Sequence, residues 1–238
     1  MRALWLTGWL MVPVAVGAYH YGPGQERLKA DDAGVALQAA TAQAESERWA
    51  EAVTAYDRAL GALPAGHEAE ARAIRLERAK AQMFAGQLPE ARFELAALVD
   101  EAQADPKADP ALLAGARESL ANSQYYMTWL MRLEGLPREE WEPEIDASRQ
   151  GYRLLAERAA AQGDDEAADR LGEDLESAIR LARMEPGDLQ GMALPKQCQG
   201  CKSGQCKGKK PVRKPGGGEK VKDARGASSG PPPDGAGS

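Results

Sequence analysis

Residues 36–64 read ALQAATAQAESERWAEAVTAYDRALGALP, and the spacing inside this stretch decides the fold. Small residues fall at Ala36 and Ala40. Trp49 follows, and then Ala52, Tyr56, Ala59 and Leu63 recur at alternating steps of four and three before Pro64 closes the run. That rhythm marks one face of an α-helix, because residues three or four apart lie above one another on its surface. A stripe of this kind cannot be left in water, so the segment predicts helices that pack on neighbours.

A related pattern recurs downstream. Ala79 takes the place of Ala40, Gly86 sits at a turn, and Leu88 takes the place of Trp49. Ala91, Leu95 and Leu98 then repeat Ala52, Tyr56 and Ala59, with Pro89 suited to a first helical turn. A third pair starts at Asp109-Pro110, an N-cap followed by proline at the first helical position. Its first helix runs to about Glu134 with Ala121 in the role of Ala79. Its second begins near Glu142, with Trp141, Ile145, Ser148, Tyr152, Leu155 and Ala159 on one stripe. The intervening EGLPREEWEP reads as an insertion. A final helix spans about Asp165 to Met184 and carries a charged outer face, as a capping helix does.

These hairpins resemble the tetratricopeptide repeat, in a membrane-anchored or exported bacterial form. The resemblance covers about residues 33–184. It implies an all-α, TPR-like α-solenoid of about three hairpins plus a capping helix. The family uses its first helices to line a concave protein-binding groove. Carried over by position, that groove would present Leu37 and Thr41, then Lys80 and Met83, then Asn122, Tyr125 and Tyr126. Four of them have a plainer reading, as packing for Met83 and Tyr125 and as solvated surface for Lys80 and Asn122. Trp129 and Trp141 mark a second partner-binding spot, or else a locally thicker core beneath the insertion.

Composition agrees with helix. Hydrophobic residues make up 43% of the 238 residues but aromatics only 5%, and β-branched residues are sparse, which argues against sandwiches and barrels. The expected organisation is a leader at 1–21, a linker at 22–32, the repeat domain at 33–184, a cysteine-containing loop at 185–207 and a disordered tail at 208–238. The net charge of −6 divides into −13 before Lys196 and +7 from Lys196 onward. An acidic body thus carries a basic tail.

The leader is nearly uncharged from Ala3 to Ala18 and can be read as an uncleaved anchor or as a secretory signal, with Val16 and Ala18 at the small positions before a cut. The anchor reading places the chain in the inner membrane, single-pass, with its body exported. The alternative makes it secreted or periplasmic. Gly22-Pro23-Gly24 is expected to break any helix there.

All three cysteines lie in one run, Cys198-Gln-Gly-Cys201-Lys-Ser-Gly-Gln-Cys206. Three readings stand side by side: a disulfide in an oxidising compartment, a zinc site, or a reactive surface cluster. A structural zinc site wants four ligands, and no fourth Cys or His follows. The thioredoxin reading fails for lack of a βαβ context. The lysine-rich tail lacks stacking aromatics, so no nucleic acid is expected.

No G-x-x-x-x-G-K-[ST], G-x-S-x-G or H-E-x-x-H occurs, and the acids read as solubilising helix-surface pairs, so an enzyme is not expected. The sequence therefore points to a membrane-tethered scaffold for protein partners. The alternative is a metal or thiol-redox accessory factor acting through the cysteines. Homo-oligomerisation through repeat ends or cysteines is the third reading.

Overall fold

A computed structural model describes residues 2–21, 23–201 and 203. Among these the chain is 83% helical and contains no strand, as the periodicity predicts. The helices are α1 Arg2–Tyr21, α2 Pro23–Glu45, α3 Trp49–Ala62, α4 Glu68–Phe84, α5 Leu88–Ala104, α6 Pro110–Leu133, α7 Arg138–Gln162, α8 Asp165–Arg183 and α9 Pro186–Gly191, followed by a 3-10 turn at Lys196–Cys198. The chain divides into two compact units, Met1–Ile74 and Arg75–Ser238, and the division falls within α4.

In the first unit α2 packs on α3, and the fully buried residues there are the alanines Ala40, Ala52 and Ala59, with Tyr56 also buried. Small residues let two helices approach closely. The linker expected at 22–32 is instead helical from Pro23, which supplies a preset φ at the first turn, with Glu26 favourably placed against the helix dipole. A Cβ at Gly24 would lie 2.9 Å from the Tyr19 carbonyl oxygen, so only glycine fits the junction of α1 and α2.

The expected membrane anchor is corrected. No helix among the described residues is long and apolar enough to cross a membrane. Thr7, Gly8, Pro13, Gly17 and the closing Tyr19-His20-Tyr21 dilute the aliphatic run of α1. The single-pass inner-membrane location falls with it. This finding concerns the spanning helix alone.

The second unit holds one continuous core, from Leu76 and Ala79 on α4 through Leu88, Leu95 and Leu98 on α5 to Trp129, Tyr152 and Leu181. Consecutive helices α5, α6, α7 and α8 pack in sequence, as short connections dictate. Ion pairs also join alternate helices. Arg92 on α5 meets Glu144 on α7 at 2.7 Å, and Arg170 on α8 meets Glu118 on α6 at 2.5 Å. A Cβ at Gly115 on α6 would lie 3.5 Å from Leu76 on α4. Arg75 clamps α4 to α5 through Glu94 at 2.5 Å and Glu101 at 2.5 Å.

Helix starts follow local chemistry. Asp109 caps α6 as expected, its carboxylate accepting from the Ala111 N–H at 2.9 Å. Asp164 caps α8 by accepting from the Ala167 N–H at 3.0 Å. The insertion expected between the third pair is shorter than read, because Arg138–Pro143 forms the opening turns of α7. Pro143 stands in the second turn of α7, where it withholds a hydrogen bond from the Glu139 carbonyl.

Arg132, in the last turn of α6, donates to the carbonyls of Leu181 and Met184 at the end of α8 and lies 4.7 Å over the Trp141 ring. Burial pushes its pKa down, while nearby Glu185 opposes that shift. The guanidinium thus satisfies two carbonyls that the end of a helix leaves unpaired. Arg132→Ala is expected to lower stability by about 2 kcal/mol, read as the urea midpoint: a hydrogen bond to a charged group is worth roughly 1.5–3 kcal/mol, and at this part-buried site water takes over much of the second. Arg132→Lys should recover less than half of that, since an ammonium cannot serve two carbonyls and stack at once.

Candidate functional site

The face of α6 decides where a ligand can lie. Every residue from Ala121 to Met131 is buried. A helix buried all round must be covered on every side. Part of the cover comes from α5 and α7, and part from the chain beyond α8, since α9 and the 3-10 turn both pack on α6. The loop expected at 185–207 is therefore partly ordered.

Residues 195–201 and 203 lie against α6 and the α4–α5 turn, as a 3-10 turn at Lys196–Cys198 flanked by irregular chain. Pro195, Gln197, Cys198 and Ser203 are buried. The Cys198 thiol donates to the Tyr126 carbonyl at 3.6 Å. The Ser203 backbone N–H donates to the Glu134 carboxylate at 3.0 Å, and its hydroxyl donates to the other oxygen of the same carboxylate. The Leu88 N–H hydrogen-bonds Cys201. Gly86 turns left-handed at φ 79° after α4, and a Cβ there would meet the Gln199 carbonyl at 3.8 Å. Glycine is favoured at that turn on conformational grounds. It also keeps the wall of the site low.

The sequence-derived groove residues fare unequally. Met83, Asn122, Tyr125 and Tyr126 are all buried, and Lys80 alone keeps substantial exposure, paired with Glu77 at 2.7 Å. The four buried residues pack in the interior of this state. Asn122 donates to the Tyr152 hydroxyl at 3.4 Å, and burial raises the Tyr152 pKa well above its usual value, with Asp174 adding to the rise. Trp129 is fully buried and Trp141 lies half-buried under Arg132, so the expected spot around these tryptophans is core. In the first unit, Thr41 is exposed and bonds back to the Leu37 carbonyl.

Cys198 and Cys201 are both free thiols, and Cys206 lies outside the described residues. Among the described residues no group of three His, Cys, Asp or Glu side chains could hold a metal. Burial holds the Cys198 thiol protonated, its pKa pushed well above normal, with Cys201 adding to the rise. Burial raises Cys201 as well. Metal ligation needs thiolates, so zinc would have to displace both thiol protons on binding.

The sign of the pH effect follows. A buried thiol keeps its proton where a released one, titrating near about 8.5, gives it up. The unfolded chain then binds fewer protons, and stability falls as pH rises above that value, by at most about 1.4 kcal/mol per unit. Between pH 8 and 9.5 the denaturation midpoint of the natural chain should therefore fall more steeply than that of Cys198→Ala. Parallel slopes would show that Cys198 is not buried in solution.

The residues that sequence reasoning missed are Glu134, Ser203, Arg132 and Gly151. Glu134 left a signal, because it ends α6 where the helix dipole disfavours negative charge. An acid kept there is being used by something else. Ser203 carried no local signal.

No protein family, curated protein or solved structure matches the chain.

Proposed function

We propose that this chain is a TPR-like helical-repeat adaptor that binds a protein partner through the α4–α6 face and performs no catalysis of its own. The proposal carries no membrane tether. The observation that carries it is the docking of an irregular strip, residues 195–201 and 203, on that face by backbone and side-chain hydrogen bonds. The pairing of alternate helices, α4 with α6, α6 with α8 and α5 with α7, supports the two-layered stack that such repeats build. In that arrangement α4, α6 and α8 form one layer, and the strip lies along the layer that repeat proteins use for ligands.

The test uses the full chain as bait in a crosslinking pull-down from its native source. Partner recovery should fall at least about tenfold for Glu134→Lys, a change at a part-buried position outside the apolar core, since charge reversal against its donor pair costs several kcal/mol. Equal recovery by both chains, with crosslinks elsewhere, would overturn the reading. The accessory-factor alternative draws on the two free thiols of the C-x-x-C turn. It requires release of Cys198 first, and zinc titration with thiol counting on purified protein tests it.

A further inference from the structure

The strip formed by residues 195–201 and 203 buries polar groups as well as apolar ones. Cys198 joins the hydrophobic core, whereas Gln197 and Ser203 are buried polar residues, and Gln199 and Gly200 stay exposed. Its attachment runs through a few hydrogen bonds, to the Tyr126 carbonyl, the Glu134 carboxylate and the Leu88 N–H. Each such bond replaces one to water, so its net value is modest. Against it stands the conformational entropy of ordering the whole strip. Segments held this way belong to the least stable parts of a fold and open without global unfolding.

Charge points the same way. Residues 195–203 contain Lys196 and Lys202 and no acid, whereas the chain before Lys196 carries −13. The acidic partners at the site are Glu134, which takes Ser203, and Glu90, whose charge acts on Cys201. A peptide mode of recognition fits these contacts, with the Ser203 main-chain N–H and hydroxyl held by Glu134 and the two thiols held by backbone groups of Tyr126 and Leu88.

We propose that the α6 face is a peptide-binding site, that the chain segment carrying Cys198 and Ser203 fills it in cis as a displaceable self-ligand, and that a partner enters by presenting a turn-forming, acid-free, lysine-bearing segment with a small side chain at the Cys198 position and a hydroxyl at the Ser203 position. This rests on the adaptor reading and says which partner chemistry the site selects. In the docked chain the partner's site and the Cys198 thiol are hidden together. Displacement exposes both, so thiol reactivity reports occupancy.

The probe is a labelled synthetic peptide with the sequence of residues 195–203, titrated under reducing conditions into the full-length chain. Two variants disable the cis strip from opposite ends. Ser203→Asp sets a carboxylate against Glu134, and Cys198→Lys puts a charge where a thiol is 1% exposed. The peptide should bind each variant at least about tenfold more tightly than the natural chain, since the cis competitor is removed and effective local concentrations of tethered ligands are high. Adding Glu134→Lys to Ser203→Asp should abolish the gain. In the natural chain, excess unlabelled peptide should accelerate alkylation of Cys198, followed in a Cys201→Ser, Cys206→Ser background.

Should Cys198→Lys fail to fold, Ser203→Asp still decides, because it leaves the core unchanged. Folded variants that bind the peptide no better than the natural chain overturn the self-ligand. A natural chain that is dimeric by light scattering and becomes monomeric in Ser203→Asp would place the strip on a second copy, which also overturns the cis assignment. These readouts need no cellular partner. Loss of the self-ligand with retained Glu134-dependent capture would leave the adaptor reading standing, and the reverse result would separate them the other way.

Discussion

Trp129→Ala is expected to destabilise the unit from Arg75 onward by about 3–5 kcal/mol, the cost of emptying a fully buried aromatic site that cannot collapse. Trp129 has no exposed surface and sits on α6, the helix that α5, α7, α9 and the 3-10 turn all pack against. Removal opens a cavity at the meeting point of several elements, so no single helix can shift to fill it. Folded domains hold only about 5–15 kcal/mol in reserve, so much of the stability goes with this one side chain. The measurement is the urea midpoint by far-ultraviolet circular dichroism, with an unchanged slope. Phe93→Ala is the control. Phe93 is 68% exposed and stacks only beneath Arg92, so its loss should fall within about 0.5 kcal/mol of zero. Similar losses for the two variants would mean that α6 is not the centre of the core. Trp129→Phe should cost much less than the alanine, because the Trp129 indole N–H finds no acceptor among the described residues and phenylalanine removes that orphan donor.

Gly151→Leu should cost nearly as much, by the opposite mechanism. Gly151 lies on α7 where it crosses α6, and a Cβ there would stand 3.0 Å from the Cβ of Ala121. That neighbour is fixed to its backbone, so any side chain at 151 must push two helices apart. The same crossing holds a buried hydrogen bond, from the Ser148 hydroxyl to the Ala121 carbonyl at 2.8 Å. Overpacking costs about 1–3 kcal/mol. Losing a buried bond with its acceptor stranded adds about 1–3 kcal/mol. The expected total for leucine is about 3–4 kcal/mol, again by urea midpoint. Gly151→Ala is the informative intermediate. Its gain in helix propensity, about 1 kcal/mol, offsets most of a few tenths of an ångström of displacement. A leucine variant as stable as the alanine one would refute the close crossing.

These two positions show how unevenly the fold was written in the chain. Ala121 was legible as the small residue of a helix crossing, because alanine at a stripe position repeats in Ala40 and Ala79. Its partner Gly151 was not, since glycine inside a helical pattern usually signals weakness rather than contact. Glu134 carried a faint mark in its unfavourable place at a helix end. Ser203 carried none, and its role depends wholly on a residue 69 positions away.

What the sequence determined alone was helix: the periods of four and three, the Asp109-Pro110 start and the break after α8 all follow from local geometry that any chain with these residues obeys. The helix boundaries of α6 and α8 fall within a residue or so of those local signals. What only the tertiary structure decided was which stripes are interior. Asn122, Tyr125 and Tyr126 look like a binding surface on an isolated hairpin, and they are interior because other segments close over α6, while Met83 on α4 belongs to the same core. Burial is a property of everything that packs around a residue, and contacts between distant segments leave no period in the chain to be read.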